Sequence, residues 1–341
     1  MAEQIKINSL VPPTWNRLQV NEKNIELPSQ IKVGNIVTGT ALSYGDISDI
    51  ETGCGRELDG YLEKFVKPVK VENHGSDLLT IKKEYTEDAA DVLYFDVPEG
   101  ETVNILTDVS SKDGSGLTGI LQILVRAGKN SKVNITQVIR PGKETTIIND
   151  IGVKLSDGAE ADLSRIYAGE GVIGSGYRVD LEGEASCAKT YSGLVRGSDT
   201  DLDMNYVMKH FGVNTKSEIN VSGALSGTAR KTFRGVIDFI RGCAGADGAE
   251  NENVLILDDT VVNRTVPLIL CTEENVAGSH GASIGRPADE QLYYMMSRGI
   301  DKERALKILE RASLESAVTH IENPEAKEYV MNIIDGIYAD E

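Results

Sequence analysis

The residues best equipped for chemistry in this sequence are its cysteines, its histidines and one short row of acids. Cys54, Cys187, Cys243 and Cys271 lie 133, 56 and 28 residues apart, with no C-x-x-C pair and no cysteine–histidine spacing of the kind a metal site uses. Reduced, structural thiols are therefore expected. Cys243 has the most suggestive context, because Arg241-Gly242-Cys243-Ala244-Gly245 is a glycine-flanked stretch that would place a thiolate on a loop within reach of a soft metal. Asp199, Asp201 and Asp203 alternate and would share one face of a strand. Such a row serves as a solvated face, a loose cation site or the carboxylates of a glycan-cleaving groove. His210 falls in Met208-Lys209-His210-Phe211-Gly212 and reads as a structural residue at a strand end. His74 beside Gly75 needs only solvation, and His320 a helix C-terminus whose dipole favours it. Gly169-Glu170-Gly171-Val172-Ile173-Gly174 satisfies G-x-G-x-x-G but has no helix pattern after it. There is no G-x-x-x-x-G-K-[ST], so any use of ATP has to come from a partner.

Charge narrows the classes further. With 35 basic and 53 acidic residues the formal charge is -18, which repels phosphate backbones and anionic lipid. Neither nucleic acid nor a membrane is an expected partner. Met1-Ala2-Glu3-Gln4-Ile5-Lys6 is charged where a signal peptide would be apolar, and runs such as Val266 to Cys271 are far short of a membrane span. A cytoplasmic, unanchored protein is expected.

Chemistry needs elements to hold it. Between about Thr102 and Gly285 the pattern is of short strands of period two, as in Lys132 to Ile139, Ala161 to Tyr167 and Ser217 to Val221. Turn glycines at 128, 158, 183 and 227 are 30, 25 and 44 residues apart, a loose repeat that suits stacked coils of two strands each. A parallel β-solenoid would fill its narrow interior with aliphatic residues, in keeping with an aromatic content of 5%. An antiparallel sandwich fits the same alternation. Before this region, Val11-Pro12-Pro13-Thr14-Trp15 suggests an extended arm anchored by the sole tryptophan, while Glu57 to Val66 and Thr86 to Leu93 carry too little periodicity to type. After it, three short amphipathic helices are expected. One opens at Arg286-Pro287 and ends at Gly299, a second is capped by Asp301 with Ala305, Ile308, Leu309 and Ala312 on one stripe, and a third starts at Asn323-Pro324 with Ala326, Tyr329, Val330, Ile333, Ile334 and Ile337 aligned.

Over about 90 residues the sequence resembles the SufB/SufD family of the Suf iron–sulfur cluster assembly system. The resemblance runs through His210-Phe211-Gly212-Val213-Asn214-Thr215-Lys216-Ser217, Gly223-Ala224-Leu225, Ala229-Arg230-Lys231-Thr232-Phe233-Arg234-Gly235, Thr265-Val266-Pro267, Ser279-His280-Gly281-Ala282-Ser283-Ile284-Gly285-Arg286, Asp289-Glu290-Gln291-Leu292-Tyr293-Tyr294 and Ser297-Arg298-Gly299-Ile300. Thr14-Trp15-Asn16-Arg17-Leu18 resembles a shorter N-terminal signature.

The resemblance implies a mainly β fold: a right-handed parallel β-helix over residues 102–285, a C-terminal helical domain over 286–341, and an N-terminal arm and mixed segment over 1–101. It further implies an assembly protein rather than an enzyme, paired as a homodimer or with a SufB-type paralogue and served by a SufC-type ATPase that docks on Glu290, Gln291, Tyr294, Arg298 and Gly299. A transient iron–sulfur cluster would be built at the interface, with His280, Glu252 and Cys243 as candidate ligands. Glu252 stands where SufB-type scaffolds carry a cysteine, and Gly281 where they carry a glutamate, so Ser279-His280-Gly281-Ala282 is more similar to SufD. Iron in a sulfide cluster prefers thiolate, accepts imidazole, and holds carboxylate poorly. The reading of a different class is a β-helix enzyme acting on polysaccharide.

Overall fold

A computed structural model describes residues 2–12, 15–72, 75–195 and 199–339, so the expectations at Pro13, Thr14 and His74 lie outside the described residues. The alternating segments form strands that pair in parallel with the strand one circuit later, not with the next strand in sequence. Thr102, Lys132, Glu160, Cys187, Lys216, Asp247 and Ala277 stand above one another in one sheet, each 27 to 31 residues after the last. That sheet has eight strands, from Leu78–Tyr85 to Ala277–Gly285. The chain crosses to a second sheet on every circuit, and there the ladder runs from Ala89–Val97 to Val262–Cys271. Parallel ladders of this kind exclude the antiparallel sandwich; the architecture is a β-solenoid.

One corner repeats with a single backbone device. Gly100, Asn130, Gly158, Ala185, Asn214 and Gly245 all take a left-handed conformation, with φ between 54° and 79°. Each donates its N–H to a carbonyl of the coil above, from Gly100 to Lys129 at 2.9 Å up to Gly245 to Asn275 at 2.7 Å. Glycine and asparagine tolerate this region best, which is why the turns look glycine-marked although the glycine is not strictly periodic.

The lumen is less purely aliphatic than expected. Leu, Ile and Val dominate, but Tyr85, Phe95, Tyr177, Tyr206, Phe233 and Phe239 are buried among them. Arg165 is 0% exposed and its Nη1 donates to Ser175 Oγ at 2.8 Å, its Nη2 to the Gly176 carbonyl at 3.1 Å. The rings of Tyr177 and Tyr206, 5.3 and 5.4 Å from the guanidinium, supply the negative potential that a carboxylate would otherwise give.

The N-terminal segment covers the outer face of the second sheet. Helix α1 (Arg56–Glu63) buries Leu58, Tyr61 and Leu62 against Ile120, Ile148 and a hairpin of Glu3–Ile7 with Lys23–Leu27. The strap before α1 is riveted by charge: Asp49 to Arg126 and Lys154, Glu51 to Arg178. Trp15 is not the anchor of the arm, being 44% exposed; Leu10 and Val20 are, packed on Val236 and Val266.

The expected helices are present as α2 (Asp289–Ser297), α3 (Lys302–Thr319) and α4 (Pro324–Ala339). Gly299 ends α2 with φ of 86°, and Asp301 caps α3 by accepting from the Arg304 N–H at 2.9 Å. The buried stripe of α3 is shifted from the expected one: Ala305, Leu314, Ala317 and Val318 face inward, whereas Ile308 is 43% exposed. The cause is tertiary, because the solenoid presents Val138, Ile166 and Tyr191 to the C-terminal half of α3. Helix α4 buries Ala326, Val330 and Ile334 as expected.

Candidate functional site

The site-bearing region is the C-terminal end of the solenoid, where the last coil has no coil above it. In the strand Asp247–Ile256, Gly248, Glu250, Glu252 and Val254 point inward. Their register partners in the final strand are Gly278, His280, Ala282 and Ile284, so His280 continues the inward column of Glu250. All nine residues of that final strand are exposed, His280 among them.

Glu252 sits differently. It is 2% exposed and forms an ion pair with Lys231, which reaches across the lumen from the opposite sheet and is 0% exposed. Burial lowers the Lys231 ammonium from its usual range, with Glu252 and Glu250 opposing the shift. Glu250 lies alongside in space that Gly235 leaves open, since a Cβ there would collide with the Glu250 carboxyl. Burial, and then the charge of Glu252, push the Glu250 carboxyl up to about 8, so it is mostly protonated at neutral pH.

Cys243 is buried at the repeated corner rather than displayed on a loop, and burial raises its thiol, with Glu273 adding to the shift. The exposed thiol is Cys271, which donates to the Glu273 carbonyl at 2.9 Å. The structure therefore brings His280 and Glu250 to one column and leaves Glu252 engaged and Cys243 enclosed. Among the described residues no group of three or more His, Cys, Asp or Glu side chains is arranged to hold a metal ion. The donor set of this chain does not by itself fit a cluster.

The other two described histidines, His210 and His320, are structural. His210 is fully buried, bonded to Thr215 at 2.7 Å through Nδ1 and to Ser217 at 2.8 Å through Nε2, and burial lowers it to about 4. His320 caps α3 and stacks on Tyr191 with ring centroids 3.8 Å apart. The acid row is spent on ion pairs: Asp201 with Lys23 and Asp203 with Arg234, while Asp199 accepts from Thr228. Sequence reasoning missed Lys231, although its place in the period-two column with Phe233, Gly235 and Ile237 marks it as inward-facing.

Beside the open end, α2 has no buried residue. Glu290, Gln291, Tyr294, Arg298 and Gly299 are all exposed, as are Tyr293 (76%) and Met296, and the Arg298 guanidinium lies 5.3 Å from the Tyr294 ring.

The architecture is thus a two-sheet parallel β-solenoid with an unpaired last coil and a helical appendage. Residues 81–313 match the family model described as "SUF system FeS cluster assembly, SufBD core domain". The chain belongs to the SufB/SufD family. It is 26% identical over 240 residues to the iron–sulfur cluster assembly protein SufD of Bacillus subtilis, covering 70% of this chain and 51% of that protein. It is 33% identical over 130 residues to SufB of the same organism, covering 38% of this chain and 28% of that protein. A chloroplastic SufBD family protein of Arabidopsis thaliana, ABCI8, is 28% identical over 155 residues, 46% of this chain and 28% of that protein. The chain thus matches about half the length of the SufD relative and less of the others. No helix among the described residues is long and apolar enough to cross a membrane.

Proposed function

We propose that this chain is a non-enzymatic subunit of a cytoplasmic iron–sulfur cluster assembly complex, with α2 as the seat of a SufC-type ATPase and the open solenoid end as the seat of a second copy or a SufB-type paralogue. The observation that carries this reading is the contrast among the C-terminal helices. Helices α3 and α4 are packed on the solenoid, whereas α2 exposes Tyr293, Tyr294 and Met296 with no residue buried. Exposed aromatic and methionine side chains on an otherwise anchored domain are the make-up of a docking face. His280 offers an imidazole at the open end, and the thiolates its cargo cluster prefers would come from the paired subunit. This chain's own part is to hold that imidazole in register and to keep Glu252 occupied by Lys231.

Copurification with a SufC-type ATPase tests the docking face. Glu290→Lys should lower the recovered ATPase at least tenfold while leaving the thermal unfolding midpoint unchanged; equal recovery sinks the assignment. In anaerobic reconstitution of the complex with iron and sulfide, His280→Ala should remove the visible cluster absorbance, and full retention would take His280 out of the ligand set.

A further inference from the structure

A cavity of about 500 Å³ lies between residues 16–24 of the N-terminal arm and the outer face of the second sheet. Its acids are already matched. Asp203 accepts from Arg234 Nη1 at 2.7 Å and from Asn8 Nδ2 at 2.8 Å, Asp201 pairs with Lys23 at 2.5 Å, and Glu22 pairs with Lys6 at 3.2 Å. Lys231 borders the cavity, but its ammonium is engaged by Glu252. Two cations are left over. Arg230 and Arg264 line the cavity from adjacent strands, and neither guanidinium reaches a carboxylate among the described residues. Arg230 stands in register beside Asp201, whose carboxylate is turned to Lys23, and Arg264 stands beside Thr232.

In a chain with 53 acids and 35 bases, two arginines without a carboxylate on one concave surface call for a different counter-charge. Like charges on neighbouring strands repel, and an anion shared between them reverses the sign of that contribution. A guanidinium fork takes two oxygens of an oxyanion at once. A carboxylate satisfies one fork, whereas a phosphate group, with a third oxygen and a second charge, can engage both. The volume is that of a small-molecule site.

We propose that this cavity binds a phosphate-bearing small molecule through Arg230 and Arg264, with Thr232 and the Asn24 amide as the neutral donors beside them. The chain carries its own reporter. Trp15 is its only tryptophan, its backbone N–H donates to Asn21 Oδ1 at 2.9 Å, and Asn21 and the adjacent Asn16 line the cavity.

The test is titration of the full chain with pyrophosphate at constant ionic strength, followed by calorimetry and by Trp15 fluorescence, with citrate as the carboxylate arm; calorimetry decides where fluorescence is silent. Saturable pyrophosphate binding is expected, weakened at least tenfold by Arg230→Gln and by Arg264→Gln with no change in the thermal midpoint, since both side chains are exposed. The proposal is overturned by absence of saturable binding, by equal affinity in the two variants, or by citrate binding as tightly as pyrophosphate.

Discussion

Lys231 and Glu252 meet across the lumen of the solenoid, one from each sheet, and both side chains are wholly enclosed. The Thr265 hydroxyl accepts from Lys231 Nζ at 3.4 Å, and the Phe233 ring centroid lies 5.5 Å from Nζ. Glu252→Gln would remove the carboxylate paired with that buried ammonium and leave it to Glu250 alongside, at a cost of up to roughly 3 to 5 kcal/mol. The double replacement Lys231→Met with Glu252→Met removes both charges and should cost less than the single change. Urea unfolding of the three proteins measures this; a Glu252→Gln variant within 1 kcal/mol of the parent (about fivefold in the unfolding constant) would show that the pair is not holding the last coils together.

Asp59 of α1 lies beside the buried Asp150, and Gln122 Nε2 donates to both, at 2.8 and 3.1 Å. Thr52 donates to Asp59 at 3.4 Å, and Glu51 faces the same group from the strap. Burial, reinforced by the charge of Asp150, raises the Asp59 carboxyl from 3.8 to about 7. The unfolded chain releases this proton near pH 4 and the folded chain near pH 7, so the folded state binds the extra proton in between. Stability is therefore lost as pH rises across that window and the loss is complete above it. Asp59→Asn keeps an oxygen for Gln122 and removes the titration. At pH 8 it should stabilise the protein by roughly 2 to 4 kcal/mol, and at pH 3.5 it should have little effect. Thermal melts at the two pH values measure the difference, and an equal effect at both would refute the raised Asp59 carboxyl.

The parts of this fold visible in the sequence are those where one local rule acts alone. Period-two alternation gives the strands of the solenoid, and a left-handed residue at each corner leaves a glycine or asparagine trace at positions such as Gly158 and Asn214. Parallel pairing leaves no comparable local trace, because the partner of Lys132 is Glu160, a full circuit away. Helix α1 was illegible for a related reason: its eight residues are held by Leu58, Tyr61 and Leu62 against a surface assembled from the hairpin and the second sheet, not by propensity. At the candidate site, His280 and the α2 residues stand out by motif and are exposed. Glu252 and Cys243 also stand out by motif or context, yet the lumen pairs one with Lys231 and encloses the other. Arg165 and Lys231 were the hardest to read, since charges inside a solenoid contradict the composition rule that finds its interior.

A phenol at the polar edge of α4 adds to its apolar docking on the solenoid. Tyr329 Oη donates to Asp108 Oδ2 at 2.6 Å, the same carboxylate that Arg140 grips through Nε and Nη2, and the Lys82 ammonium lies 4.3 Å from the Tyr329 ring. Tyr329→Phe preserves the ring and its apolar contacts while Asp108 keeps Arg140, so the loss should be about 1 kcal/mol. Because α4 is otherwise fixed by Ala326, Val330 and Ile334 at one surface of the solenoid, that loss should appear locally. Amide hydrogen exchange in α4 should accelerate about fivefold, with the solenoid strands unchanged and α3 held by Leu314, Ala317 and Val318. Acceleration spread evenly over α3 and the strands would mean that the helices and the solenoid open as one unit, and no acceleration in α4 would mean that the phenol contributes nothing to its docking.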